Sequence, residues 1–149
     1  MAEISVTVRE RLGVDAATAW RVLGAFDGLP AISTATATST LTDGGRVRVL
    51  VNRDGSILWE RMLRFDEAGR SLSYTITDDK GCDGLAYGVG YVGIVMVLED
   101  GPAASIFEYA ARFEPRPGIG EHQARAAVAA FASDCAAGVM RALARGTVG

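Results

Sequence analysis

The chain has 149 residues, 49% hydrophobic and 22% charged, with a net charge of −3. This suits one domain, residues 1–149, with a core of useful size, and it excludes the basic footprint that nucleic acid or an anionic membrane would need. One histidine and two cysteines argue against a histidine-rich metal site and against a disulfide framework.

The first residues alternate Ile4, Val6 and Val8 with Ser5, Thr7 and Arg9, which predicts a strand over 3–12. They lack the basic and apolar segments of a signal peptide, and no apolar run approaches the roughly 20 residues of a spanning helix. A cytoplasmic protein with no membrane insertion is expected. Asp15 is placed to cap a helix over 16–26, with Trp20, Leu23 and Phe26 at core spacing, and residues 29–32 suggest a second short helical turn. Strands follow over 34–42, 46–52, 57–66 and 70–77, divided by Asp43-Gly44-Gly45, Arg53-Asp54-Gly55 and Glu67-Ala68-Gly69. A loop over 78–85 leads to a long strand over 87–98, whose Gly88, Gly90 and Gly93 would permit bending or bulges. A last strand over 104–114 precedes a linker and an alanine-rich helix from Glu121 to about Arg145, with Val128, Phe131, Cys135 and Val139 as its apolar stripe.

Strands and helices are segregated, which predicts an α+β fold with an antiparallel sheet. A curved sheet wrapped around one long helix suits so many hairpins. The small Ala132, Ala136, Gly138 and Ala142 on that helix would leave either a close approach or a void.

Two strand glutamates, Glu60 and Glu108, lie among apolar neighbours. A carboxylate turned into a closed interior must be paired, hydrogen-bonded or protonated. Over 106–110 both faces look apolar, so alternation alone leaves the direction of Glu108 open. Glu60 shares a face with Leu58 and Met62, and its plainest reading is a surface cross-strand ion pair. Val47, Val49 and Val51 form an apolar face that would send Arg48 outward. Tyr74 and Tyr87 could hydrogen-bond a ligand oxygen, and alternation puts Val89 and Tyr91 on the face of Tyr87; the commoner case is packing with the hydroxyl at the rim. Cys135 reads as a small hydrophobe. Gly88-Val89-Gly90 lies within a strand run and is not a dinucleotide fingerprint, and no phosphate loop, metal-ligand spacing or Ser/His/Asp arrangement occurs. No cofactor and no metal are expected.

The element order, with Ala19-Trp20, residues 26–30, Gly45-Arg46-Val47-Arg48, Trp59-Glu60-Arg61, Asp66, Ser73-Tyr74, Tyr87, Phe107-Glu108-Tyr109 and Phe131, resembles the helix-grip (START/SRPBCC) superfamily. That superfamily includes START domains, birch-pollen-allergen-like proteins and plant abscisic-acid receptors. The chain is most similar to its bacterial polyketide cyclase/dehydrase and lipid-transport branch. The resemblance implies about seven antiparallel strands around a long C-terminal helix, with one or two short helices after the first strand. It also implies a deep pocket lined by Arg48, Glu60, Tyr74, Tyr87, Glu108, Phe131, Cys135 and Val139, with residues 53–56 and 80–85 flanking its mouth. Arg48 inside then requires a bulge or a packed outer face. The receptor gate and latch motifs are absent, so hormone sensing with a phosphatase partner is not implied.

Two functions from different classes fit. One is a cofactor-independent enzyme acting on a hydrophobic or aromatic, oxygenated small molecule by proton transfer, as in cyclisation, dehydration or another lyase or isomerase step. Glu108 would be general acid or base, Glu60 with Arg48 would orient a carbonyl, and Tyr87 or Tyr74 would donate to a developing oxyanion. The other is a carrier or sensor of a hydrophobic ligand or lipid, doing no chemistry. A blander third reading is a partner-binding domain with a filled interior. An exposed sheet edge would also be open to pairing in a homodimer.

Overall fold

The computed structural model describes residues 2–146. β1 (Ile4–Leu12) leads into α1 (Ala16–Leu23) and the single-turn α2 (Leu29–Ile32). Then come β2 (Thr36–Thr42), β3 (Val47–Asn52), β4 (Ile57–Asp66), β5 (Ser71–Lys80), β6 (Val92–Glu99), β7 (Ser105–Phe113) and α3 (Glu121–Arg145). The seven strands form one antiparallel sheet in the order β1-β7-β6-β5-β4-β3-β2. This is the helix-grip fold: a curved sheet around one long helix.

Local chemistry sets the elements. Asp15 accepts from the Thr18 backbone N–H at 3.1 Å and from its hydroxyl at 2.6 Å, closing the N-terminus of α1. The helix stops at Leu23 rather than Phe26, because Gly24 takes the C-cap position. Bulges interrupt the β4–β5 ladder between Trp59 and Glu60 and between Met62 and Arg64, bending the sheet beside Glu60. β5 runs three residues past its expected end, because Leu58 and Ile57 pair with Asp79 and Lys80.

One expected strand is shorter. Residues 81–89 leave the sheet, Gly90 and Tyr91 rejoin it through backbone hydrogen bonds to Ile76, and β6 begins only at Val92. Gly88 and Gly90 therefore serve a turn, with Gly90 at φ +93°, rather than bulges in a strand. Arg116, just beyond β7, ties this segment down. Its Nε donates to the Tyr87 carbonyl at 2.9 Å, its Nη2 to Asp79 at 2.8 Å, and its backbone N–H to the Ala86 carbonyl at 3.0 Å.

α3 is long and apolar enough to pass as a membrane span by length and composition. Here it is the core helix, burying Ala124, Val128, Ala132, Cys135, Ala136, Gly138, Val139 and Ala142. Its small residues allow a close approach: a methyl group at Gly138 would overlap the Ile32 carbonyl of α2. The rest of the concave face is not filled by the helix.

Candidate functional site

A cavity of about 290 Å³ lies between the concave sheet, α2 and α3. Its wall is mainly apolar or aromatic, with Leu29, Leu50, Leu58, Leu85 and Phe131 among the contributors. The polar exceptions define the site.

The strand period of two places Arg48, Leu50 and Asn52 on the inner wall from β3. Val47, Val49 and Val51 take the outer face, where Val49 and Val51 stand directly opposite Trp59 and Ile57 of β4. A packed outer face, not a bulge in β3, thus reconciles the apolar valine row with an inward arginine. Arg48 stands opposite Glu60. Its Nε and Nη2 donate to Glu60 Oε1 at 2.8 and 2.7 Å, and its Nη1 donates to the Phe26 carbonyl at 3.1 Å. The guanidinium lies between the rings of Phe26 and Tyr74, 4.5 and 4.7 Å from their centroids. Arg48 is 6% exposed and Glu60 4%. Burial alone would lower the arginine's pKa, but Glu60 and the neighbouring tyrosines more than offset it, so the guanidinium stays charged. Among the described residues, no hydrogen bond reaches Glu60 Oε2.

Next to this pair is a chain of three hydroxyls. Tyr109 of β7 sits 2.6 Å from the Tyr74 hydroxyl and 2.6 Å from the Tyr91 hydroxyl. Gly93 makes room for them, since a Cβ there would meet both the Tyr74 and the Tyr109 hydroxyls. Tyr87 stacks on Tyr91 with ring centroids 4.4 Å apart. All four tyrosines of the chain line the cavity. Burial, before any other cause, holds each phenol above its usual pKa, so each stays protonated.

Four expected positions differ. Glu108 is on the convex face, opposite Arg9 of β1, whose Nε and Nη2 both reach its Oε1 at 2.8 Å. Inward positions on β7 belong to Phe107, Tyr109, Ala111 and Phe113. The expected general acid or base is therefore outside the cavity, and Tyr109, to which the sequence pattern gives no site role, is inside it. Widening the window to Arg112 and Phe113 would have found this, since one face then carries two charges and the other three aromatics. Val89 is 64% exposed at the tip of the 88–90 turn and touches no cavity. Val139 is fully buried but off the cavity wall. Cys135 lines only a smaller space of about 30 Å³ behind Phe131, where burial and then Asp134 push its thiol up to about 12.

The mouth is formed by Arg53 and Asp54 of the β3–β4 turn, by Leu85 and Tyr87, and by Ser33 and Ala35 after α2. Phe131 lines both the cavity and an open groove running out along α3 past Gln123 and Ala130. Among the described residues, no three His, Cys, Asp or Glu side chains gather as a metal site would require.

Solved structures share this architecture. XoxI from Bacillus cereus is 26% identical, with 95% of each chain covered and a TM-score of 0.81. An uncharacterised protein from Bacillus thuringiensis is 25% identical, with 95% of this chain and 99% of that one covered and a TM-score of 0.82. Norcoclaurine synthase from Thalictrum flavum, solved with dopamine and hydroxybenzaldehyde, shares the fold at 14% identity, with coverages of 97% and 88% and a TM-score of 0.72. A START superfamily protein from Mycobacterium smegmatis shares it at 12% identity, with coverages of 97% and 96% and a TM-score of 0.65. No curated protein matches the chain in sequence. The model of the family described as polyketide cyclase / dehydrase and lipid transport matches residues 3–145, and the chain belongs to that family.

Proposed function

We propose that this protein binds a mostly apolar, oxygenated small molecule in the 290 Å³ cavity, with the Arg48–Glu60 pair anchoring its polar end. One observation carries the reading. The pair is nearly fully buried on the wall of an otherwise aromatic chamber, and Glu60 Oε2 accepts no hydrogen bond from the described residues. A carboxylate oxygen that opens only onto a largely apolar cavity gains from a donor, and a ligand hydroxyl or N–H supplies one. The fold and the family support a hydrophobic ligand.

N-phenyl-1-naphthylamine, an apolar fluorophore with one N–H, tests this. Its emission should rise and shift to the blue with the native protein. Phe131→Trp, which adds bulk to the cavity wall where the groove along α3 meets it, should weaken binding at least tenfold while circular dichroism is unchanged. No fluorescence response, or equal binding to the variant, would overturn the reading.

Proton-transfer chemistry is the second reading, favoured by a carboxylate and tyrosine hydroxyls lining one cavity. With Glu108 outside, Glu60 is the base that would take a proton from the carbon next to a ligand carbonyl, while a tyrosine donates to the carbonyl oxygen. Glu60 is already engaged by Arg48 through Oε1 as a structural ion pair, so binding without chemistry stands first. Deuterium entry into the methyl group of acetophenone in D₂O, followed by NMR and lost in Glu60→Gln, would promote the enzyme. Exchange no faster than in buffer would leave a carrier.

A further inference from the structure

Three hydroxyls in a row, Tyr74–Tyr109–Tyr91, hold three O–H protons but make only two contacts with one another. Every way of orienting those protons leaves one that the chain does not use. If both outer tyrosines donate to Tyr109, the surplus proton is on Tyr109. If Tyr109 donates to one neighbour, the surplus is on that neighbour. No protein acceptor among the described residues takes it. The carboxylate lining the same cavity wall is Glu60, whose bonded oxygen, Oε1, already receives two N–H groups, and no tyrosine hydrogen-bonds to its Oε2. Gly93 backbone stands close against the Tyr74 and Tyr109 hydroxyls on one side. All three tyrosines line the cavity.

A buried O–H without an acceptor costs about as much as a lost hydrogen bond, and a ligand that accepts from it removes that cost. We propose that the tyrosine chain is a single-donor subsite that selects ligands carrying a neutral carbonyl oxygen. The inference rests on the cavity being the binding site, as argued above. A neutral acceptor is specified because the charges lining the cavity cancel, Arg48 against Glu60 and Arg53 against Asp54, which leaves no net positive charge to compensate a buried anion. Burial also keeps the phenols protonated, so the chain donates and does not accept a proton from the ligand. Whichever tyrosine faces the carbonyl is backed by the next hydroxyl, which polarises the donated bond. The Glu60 end takes a donor and the tyrosine end takes an acceptor, which fixes the ligand's direction in the chamber.

Acetophenone and α-methylstyrene test this, because they differ in replacing C=O by C=CH₂ with little change of shape. Each is titrated against bound N-phenyl-1-naphthylamine, and the carbonyl stretch of bound acetophenone is read by infrared difference spectroscopy. Acetophenone should bind roughly tenfold tighter than the hydrocarbon, with its carbonyl stretch below the value in hexane. Tyr109→Phe leaves Tyr74 and Tyr91 each with an unshared O–H, so the preference should survive. The triple change Tyr74→Phe, Tyr91→Phe and Tyr109→Phe should abolish both the preference and the infrared shift. Should the triple variant fail to fold, wild-type protein labelled at tyrosine ¹³Cζ gives the answer. Acetophenone should then move resonances of the three residues that α-methylstyrene leaves in place. Equal affinity of the two compounds for the wild type, an undiminished preference in the triple variant, or identical ¹³C shifts with both compounds would overturn the proposal while leaving cavity binding intact. Failure of both compounds to displace the fluorophore would overturn the cavity reading and this proposal together.

Discussion

The sheet carries two arginine–glutamate pairs of the same design. Arg48–Glu60 and Arg9–Glu108 each join residues directly opposite on antiparallel neighbours, and in each the arginine's Nε and Nη2 share one carboxylate oxygen. They differ in the face they occupy. The first points into the chamber, its side chains 7% and 5% exposed; the second lies on the convex surface, at 64% and 20%. Water screens the outer pair and offers each partner an alternative, so its worth is about 0.2–1 kcal/mol. The inner pair has no such alternative. Its charges satisfy one another, and the free valences left over face the cavity. The same two residue types thus make a surface fastener in one place and a binding group in the other, and burial alone decides which.

Removing one inner partner gives the largest expected effect. Glu60→Ala strands a buried guanidinium and should lower the unfolding free energy by about 3–5 kcal/mol. Arg48→Met combined with Glu60→Leu removes both charges and should restore most of that loss, while ending the binding of donor-bearing ligands. Urea unfolding of the single and double variants measures this. A Glu60→Ala loss below about 1 kcal/mol would mean the inner pair behaves like the outer one, and the contrast would fail.

Alkaline titration tests the aromatic half of the chamber. Burial, the leading cause, raises the pKa of all four tyrosines above the ordinary value of about 10. The folded-state pKa therefore exceeds the unfolded-state one. This contribution to stability is complete below about pH 10 and is lost as pH climbs above it. Near-ultraviolet absorbance should show no phenolate step around pH 10 in native protein, and ionisation should coincide with loss of tertiary circular dichroism. A reversible step of even one tyrosine near pH 10, with the fold intact, would show that the chamber is wetter than its packing suggests.

Element order and fold were readable in the chain because hairpin turns, an N-cap and a long uninterrupted helix each leave a local signature. The site was readable only in part. On β3 the outer face packs Val49 and Val51 against Trp59 and Ile57, so apolar alternation there did not distinguish inside from outside. Arg48 went inward against the pattern, as the family resemblance implied. On β7 the deciding residues, Arg112 and Phe113, lay just beyond the five-residue window around Glu108. Val89 was misplaced because glycines at 88 and 90 serve a strand bulge and a turn equally well until the chain's path is known. The hydroxyl chain had no sequence signature. Tyr74 lies on β5, Tyr109 on β7 and Tyr91 just before β6, and only the sheet order and the missing side chain of Gly93 bring them together.

The outer pair supplies the smallest and sharpest test of the comparison. Glu108→Gln keeps the shape and removes the charge of a residue whose partner, Arg9, is 64% exposed. Arg9 regains water rather than a buried void, so the loss should be no more than about 1 kcal/mol. That loss should shrink further as salt rises, because ions screen an exposed pair over roughly 10 Å at 0.1 M. The Glu60→Ala loss, shielded from solvent ions, should change little over the same range. N-phenyl-1-naphthylamine binding should be the same in Glu108→Gln and in the wild type. Loss of binding in this variant would return Glu108 to the interior and undo the assignment of faces on which the chamber's chemistry depends.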